Sequence, residues 1–268
     1  MKEIKSMLQQ GRLTDVISHI ETQLRDDPLN VDLKSALVEL LCINGELERA
    51  DQLINAMVQK HPDLIVGASN LRLLIRAAQE RQDFLQGQGV PNLFNERDEY
   101  LEAFMKLNLE INQGQEGEAL QQVCEQLERS RPDTRVKIND SSRKIVRDLD
   151  DTLGGFIEIF GTDGKFYIAQ LAELDYLHFK PVSSLLEQVW RRVDLSIKGG
   201  PSGEAYLPLV YANSVTDKQK LGRETDWQQL APEVSRGAGQ KMWFVDDKAM
   251  AISEVNHINC VSLEGEAE

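Results

Sequence analysis

The chain is poor in the residues that hold metals and close disulfides: three cysteines and four histidines among 268 residues. Cys42, Cys124 and Cys260 are an odd set without CxxC spacing, which argues against both a disulfide framework and a zinc site. The first two fall on apolar stripes of expected helices, where cysteine behaves as a small hydrophobe. His19, His61, His178 and His257 are scattered and show neither HExxH nor HxE spacing. No metal and no cofactor is expected. Long apolar runs are also missing: stretches such as Leu37–Ile43, interrupted by Glu39, fall far short of the roughly 20 residues of a membrane span. The start, Met-Lys-Glu-Ile-Lys-Ser, lacks the apolar core of a secretory signal. A cytoplasmic protein is expected. Dense basic runs are absent as well. Arg191-Arg192 is a bare pair in an expected strand, and 44 acidic residues against 30 Lys and Arg leave a formal net charge of −14. Such a field repels nucleic acid and anionic lipid, so neither is expected as a partner.

Catalytic signatures are missing too. Gly199-Gly200-Pro201-Ser202-Gly203 has no following Lys-Ser/Thr and reads as a tight strand connection, not a P-loop, and no GxSxG elbow occurs. Asp148, Asp150, Asp151 and Glu158, and later Glu224 and Asp226, are neighbouring acids that could run hydrolysis or hold Mg²⁺. In a chain with 44 acids, such neighbours also arise by chance.

What is present begins with a repeat. Gly11 and Gly45 are 34 residues apart, as are Pro28 and Pro62, and a longer third copy runs from Gly114 through Ala119 to Pro132. This is the period of tetratricopeptide-like helical hairpins. Leu13, Val16, Ile17, Ile20 and Leu24 mark one apolar helix face; Leu33, Ala36, Leu37, Leu40 and Leu41 a second, capped by Asn30; Leu47, Ala50, Leu53, Ile54 and Met57 a third. Further helices are expected over Leu64–Phe84, Leu93–Asn112 and Glu116–Arg129, and these six are among seven helices expected in all. Residues 1–132 therefore read as a tetratricopeptide-like α-α superhelix able to fold on its own, of the kind whose concave side receives a peptide or helix.

Beyond Pro132 the helical period fades. Gly155–Phe160 and Lys165–Ile168 flank Gly-Thr-Asp-Gly as a hairpin, and Gln240–Val245 and Ala249–Val255 flank Asp246-Asp247 as another. Tyr206–Tyr211 is a further strand, which Pro208 should confine to an edge or bulge. A short helix is expected near Ser184–Trp190. Residues 133–268 thus read as an α+β domain with a mainly antiparallel sheet.

The densest polar constellation is Gly222-Arg223-Glu224-Thr225-Asp226-Trp227, followed by Arg236-Gly237-Ala238-Gly239-Gln240. Arg223 could pair bidentately with a carboxylate, and Trp227 offers a large apolar face with one donor. The segment is either an exposed recognition loop with Arg223 and Trp227 as hot spots, or a buried plug ordering a long loop. Gly222, Gly237 and Gly239 favour the plug, because glycine serves where backbones approach closely.

These two runs, with Leu207-Pro208-Leu209-Val210-Tyr211, the segment from Asp148 to Glu158, and Phe166-Tyr167, resemble the ImpE/TagJ/SciE family of type VI secretion accessory proteins. The likeness spans nearly the whole chain. Gly154-Gly155-Phe156 and Ile168-Ala169 depart from the family's usual Gly-Pro-hydrophobic and Trp/Ile-Pro steps. The resemblance implies a cytoplasmic, virulence-associated adaptor without enzymatic activity or cofactor. The partners it implies are the small sheath protein and the ClpV-type ATPase that disassembles contracted sheaths. Two other readings stay open: a metal-dependent hydrolase centred on Arg223, Glu224 and Asp226, and a tetratricopeptide-type scaffold outside secretion.

Overall fold

The computed structural model describes residues 2–260. Seven α-helices precede the first strand: α1 (Lys2–Gln9), α2 (Leu13–Asp26), α3 (Val31–Asn44), α4 (Leu47–Lys60), α5 (Ile65–Leu85), α6 (Glu99–Asn112) and α7 (Glu118–Ser130). Consecutive helices from α1 to α5 pack against one another, as do α6 and α7. The repeat punctuation is visible in the backbone. The Asn30 side chain accepts the Leu33 N–H at 3.0 Å, capping α3, and Gly45 ends that helix in the left-handed region at φ +85°. Ala50 is fully buried where α4 meets its neighbours.

The helix expected from Leu93 begins only at Glu99. Asn92 is tied to a strand instead: its N–H donates to Phe166 O and its carbonyl accepts from Ile168 N. Asp98 then caps α6 by accepting the Leu101 N–H. The long-range bonds of Asn92 and the Asp98 cap give the backbone partners outside a helix before Glu99.

The β-rich part contains β1 (Val136–Ile138), β2 (Ser141–Arg143), β3 (Val146–Asp148), β4 (Phe156–Gly161), β5 (Phe166–Gln170), β6 (Leu174–Phe179), β7 (Trp190–Ile197) and β8 (Ser202–Pro208). A short α8 (Asp217–Lys220) follows, then β9 (Thr225–Ala231), β10 (Val234–Gly239), β11 (Met242–Val245), β12 (Lys248–Ala251) and β13 (His257–Cys260). The main sheet runs β2-β1-β13-β6-β7-β8-β4-β5; β12-β11-β3 and β10-β9 form smaller sheets, and every pairing between strands is antiparallel.

Three sequence expectations need correction here. Near Ser184–Trp190 there is only a 3-10 turn, Leu186–Gln188, and Trp190 opens β7 by pairing with Pro208. Pro208 does not lie in an edge strand: β8 is central, and its proline is tolerated because β4 pairs only with Ala205 and Tyr206. The segment from 222 to 240 is not a long loop but the β9–β10 hairpin, turned at Pro232-Glu233 with Glu233 at φ +59°.

The architecture changes between Ser130 and Val136, yet the buried apolar core runs straight across that change. β4 explains how. It is buried on both faces, so its apolar run is nearly continuous. Phe156 and Phe160 join Leu74, Ala78, Phe84, Tyr100 and Phe104 of the helices in one cluster, while Ile157 and Ile159 join Val146, Trp243 and Val245 in a second. Tyr100 stacks on the Phe156 ring at 4.4 Å, Phe104 lies tilted to it at 4.4 Å, and Phe84 meets Phe166 at 6.0 Å. Each such buried ring stabilises the fold by roughly 1.5–3 kcal/mol relative to exposure. The seam between helices and sheet is therefore a true core.

Candidate functional site

Among the side chains that β4 turns toward the helices, Glu158 is the charged one. It is 3% exposed and needs a partner. Arg81 on α5 supplies one bidentately, with Nε and Nη2 donating to the two carboxylate oxygens at 2.7 and 2.5 Å, and Lys241 Nζ donates at 2.5 Å. Nη2 of Arg81 also reaches Val210 O at 3.1 Å. Burial alone would raise the Glu158 carboxyl, but the two cations and their hydrogen bonds win, holding it well below the ordinary carboxylate range.

Beside it lies a second buried group. Tyr211 Oη donates to Asp148 Oδ1 at 2.6 Å and accepts the Met242 N–H at 3.0 Å. Burial pushes the Asp148 carboxyl up to about 7, with nearby Asp150 adding to the rise and Lys241 and Tyr211 opposing it. The loop after β3 then grips β10. Asp150 accepts from Thr152 N, Thr152 Oγ1 and, at 2.9 Å, Gly237 N; Asp151 accepts from Arg147 Nη2 and Ser235 N, both at 2.8 Å.

This clamp explains the glycines of the signature. A Cβ on Gly237 would clash with the edge of the Tyr211 ring, and one on Gly239, at φ +90°, would collide with the Glu224 carbonyl. Thr225 Oγ1 donates to Gln240 O at 2.8 Å, closing the open end of the hairpin. Glu224 accepts from Thr216 Oγ1 and Asp226 from Gln219 Nε2, both at 2.7 Å; Thr216 and Gln219 are the capping box of α8. Asp217 in turn accepts from Thr14 N and Oγ1 on α2 at 2.8 and 2.7 Å, and Lys220 Nζ donates to Asn44 at 2.8 Å. The hairpin is thus bracketed through α8 to the first helices.

Arg223 and Trp227 are not a buried plug. Arg223 is exposed, and its guanidinium has no hydrogen-bond or ion-pair partner among the described residues. Trp227 is 44% exposed, and its aromatic neighbour among the described residues is Tyr211, in a T-shaped contact at 5.9 Å. The buried charges lie elsewhere, on Arg81, Glu158 and Lys241. Arg81 had a signal: with Leu74, Ala77, Ala78 and Phe84 it shares the apolar stripe of α5, and a cation on such a stripe needs an acid opposite. Glu158, alone in an apolar strand, was that acid.

The helical half carries a different feature. Between α3, α4 and α5 runs an open, mainly apolar groove of about 220 Å³, lined by Val38, Ile54, Met57, Leu64, Ala68 and Leu71, with Ser35 and Glu39 of α3 also in its wall. Gly67 forms part of its wall, with nothing within 4 Å of where its Cβ would stand. Ile65 and Val66 beside it are 54% and 71% exposed. No group of three or more His, Cys, Asp or Glu residues is placed to hold a metal among the described residues.

Helices and antiparallel sheet welded at one seam, with the central acids satisfied internally, define a two-part α and α+β scaffold. The ImpE protein family model matches residues 140–259, which contain the clamp apart from Arg81, the hairpin and most of the sheet. The chain is 24% identical over 258 residues to the type VI secretion system accessory component TagJ of Pseudomonas aeruginosa, covering 95% of this chain and 90% of that protein. It also superimposes on the crystal structure of protein VPA1032 from Vibrio parahaemolyticus with a TM-score of 0.91 and 36% identity, over 97% of this chain and 98% of the other. The chain belongs to the ImpE family.

Proposed function

We propose that this protein is a non-enzymatic, cytoplasmic adaptor of a type VI secretion system. It holds a helix of the small sheath protein in the α3–α5 groove and brings it to the ClpV-type disassembly ATPase. The observation carrying the reading is the groove itself. Leu64, in the 3-10 turn that leads into α5, and Gly67, Ala68 and Leu71 on α5 itself follow one another at helical spacing as a small-to-medium apolar stripe left open to solvent. An amphipathic helix recognised through i, i+3, i+4 and i+7 anchors suits such a trough. The secretion system enters through the relationship to TagJ, and its two components through what the family resemblance implies. The bracket from the hairpin through α8 to α2 gives the groove-bearing helices a rigid base.

Gly67→Leu tests it. Gly67 lies inside a helix with open space at its Cβ, so the larger residue should leave folding intact and raise helix stability by up to about 1 kcal/mol. The added side chain projects into the groove. Co-purification with the small sheath protein and with the ATPase, each separately, should show sheath binding reduced at least tenfold with an unchanged or higher melting temperature. Full sheath binding by a folded Gly67→Leu protein would remove the groove from the mechanism.

A further inference from the structure

A second recess, chemically unlike the groove, opens between the two halves. It measures about 440 Å³, within the roughly 300–1,000 Å³ typical of small-molecule sites. One wall is the α3–α4 turn and α5, contributing Asn44 and Gln82; the other is the segment after β8, contributing Asn213 and Ser214. Phe160 and Trp190, edge to face at 5.3 Å, form an aromatic floor. Two cations line it besides the paired Arg81: Lys220 and Arg236.

Arg236 is the unusual member. Its guanidinium is half-buried and has no hydrogen bond or ion pair among the described residues. Burial lowers its pKa, and Asp150 and Glu158 only partly oppose this, acting from a distance. Both acids are already engaged, Glu158 by Arg81 and Lys241, Asp150 by Thr152 and Gly237. The side chains of Gln82 and Asn213 are likewise without a hydrogen-bond partner among the described residues. A planar fork of five donors left unsatisfied at a partly desolvated wall is matched by a carboxylate or phosphate, which takes it bidentately. That such cations gather in one recess of a chain with net charge −14 makes the recess an exception to its surface.

We infer that this recess binds a small ligand bearing an oxyanion and an apolar body. Arg236 clasps the oxyanion, Lys220 adds a second positive charge at the rim, and the Trp190–Phe160 floor receives the apolar part. The site is independent of the helix groove and stands or falls without it.

The test uses the full-length protein with three probes: phenyl phosphate, phenylacetate and, as the neutral counterpart, phenylacetamide. Calorimetry and thermal shift are run up to about 10 mM, above the millimolar affinities expected of ligands this small, with chloride matching ionic strength. Saturable binding of one or both anions, at least tenfold tighter than the amide, is expected, and which anion binds tells phosphate from carboxylate recognition. Arg236→Gln should weaken binding at least tenfold, with Arg236→Lys intermediate because it keeps the charge and loses the fork. Should Arg236→Gln fail to fold, Lys220→Gln at the rim still reports, with an expected loss of about three- to tenfold. Absence of saturable binding, equal binding of the amide, or affinity unchanged in folded Arg236→Gln and Lys220→Gln proteins would overturn the inference.

Discussion

The groove and the clamp are built on opposite principles. Between α3, α4 and α5 the walls are mainly apolar and open; around β4 and β10 the groups are polar, buried and almost completely partnered. A buried polar network is fragile to loss of one member, because the remaining charge stays uncompensated. An open apolar groove is the reverse: filling it leaves the fold alone and removes only what binds there. The dense polar motif of the sequence therefore falls on the hairpin that the clamp holds, whereas the surface proposed to bind a partner shows in the sequence only as a helical repeat.

The sharpest way to break this contrast is the ion cluster across the seam. Arg81→Met should cost about 3–5 kcal/mol by stranding Glu158 with Lys241 alone, and Glu158→Ala should cost a comparable about 3–5 kcal/mol by stranding two cations. Because Arg81 belongs to the helices and Glu158 to the sheet, helical ellipticity and Trp fluorescence should melt together in urea. Two separate transitions would mean that the seam does not couple the halves.

Glycine gives a sign test. Gly237→Ala drives a methyl into the Tyr211 ring and should destabilise by about 1–3 kcal/mol, as overpacking does. Gly67→Ala, the same change in an open helix, should stabilise by up to about 1 kcal/mol. Equal effects at the two positions in thermal melts would contradict the assignment of one as packed and the other as free.

The clamp should also report on pH. Folding raises the Asp148 carboxyl from the ordinary 3.8 to about 7. Between these values the folded protein keeps a proton that the unfolded chain has released, so stability falls as pH rises through that window. One full proton corresponds to about 1.4 kcal/mol per pH unit. Asp148→Asn keeps an oxygen for the Tyr211 hydroxyl and the Asp150 N–H and cannot ionise, so its stability should be flatter from pH 5 to pH 7. Glu158 works in the opposite direction at lower pH: its depressed carboxyl supports the fold above about 4.5 and loses that support as acid titrates it.

Much of the fold was legible because its determinants are local. The Gly45 helix end, the Asn30 cap and the Gly161–Gly164 hairpin turn each act within a few residues, and each lies where the sequence places it. The clamp was not legible, because its members come from α5, the loop after β3, β4 and the ends of β8 and β10, brought together only by folding. Arg81 and Glu158 each carried half a signal, a charge inside an apolar pattern. Arg223 and Trp227 misled for a related reason: a dense polar motif shows that a segment is constrained, without showing which residues bear the constraint. Here the glycines and the carboxylates bear it, while the arginine and tryptophan between them stay outside.

That reversal sets the smallest expected effects. Arg223→Ala removes an exposed side chain with no partner among the described residues and should change stability by no more than about 0.5 kcal/mol. Trp227→Ala loses a half-buried ring and its edge contact with Tyr211, worth about 0.5–1.5 kcal/mol beyond area, so a total near 1–2 kcal/mol is expected, below the about 3–5 kcal/mol of a fully buried aromatic. Neither touches the α3–α5 groove, so sheath co-purification should match the wild type in both. A melt lowered by the full buried-aromatic amount in Trp227→Ala would restore the plug. Unchanged melting with binding reduced tenfold in either variant would instead put a partner contact on the exposed face of the β9–β10 hairpin. The clamp beneath it would then be the rigid mount of a recognition surface, and the contrast between groove and clamp would become a division of labour between two binding faces.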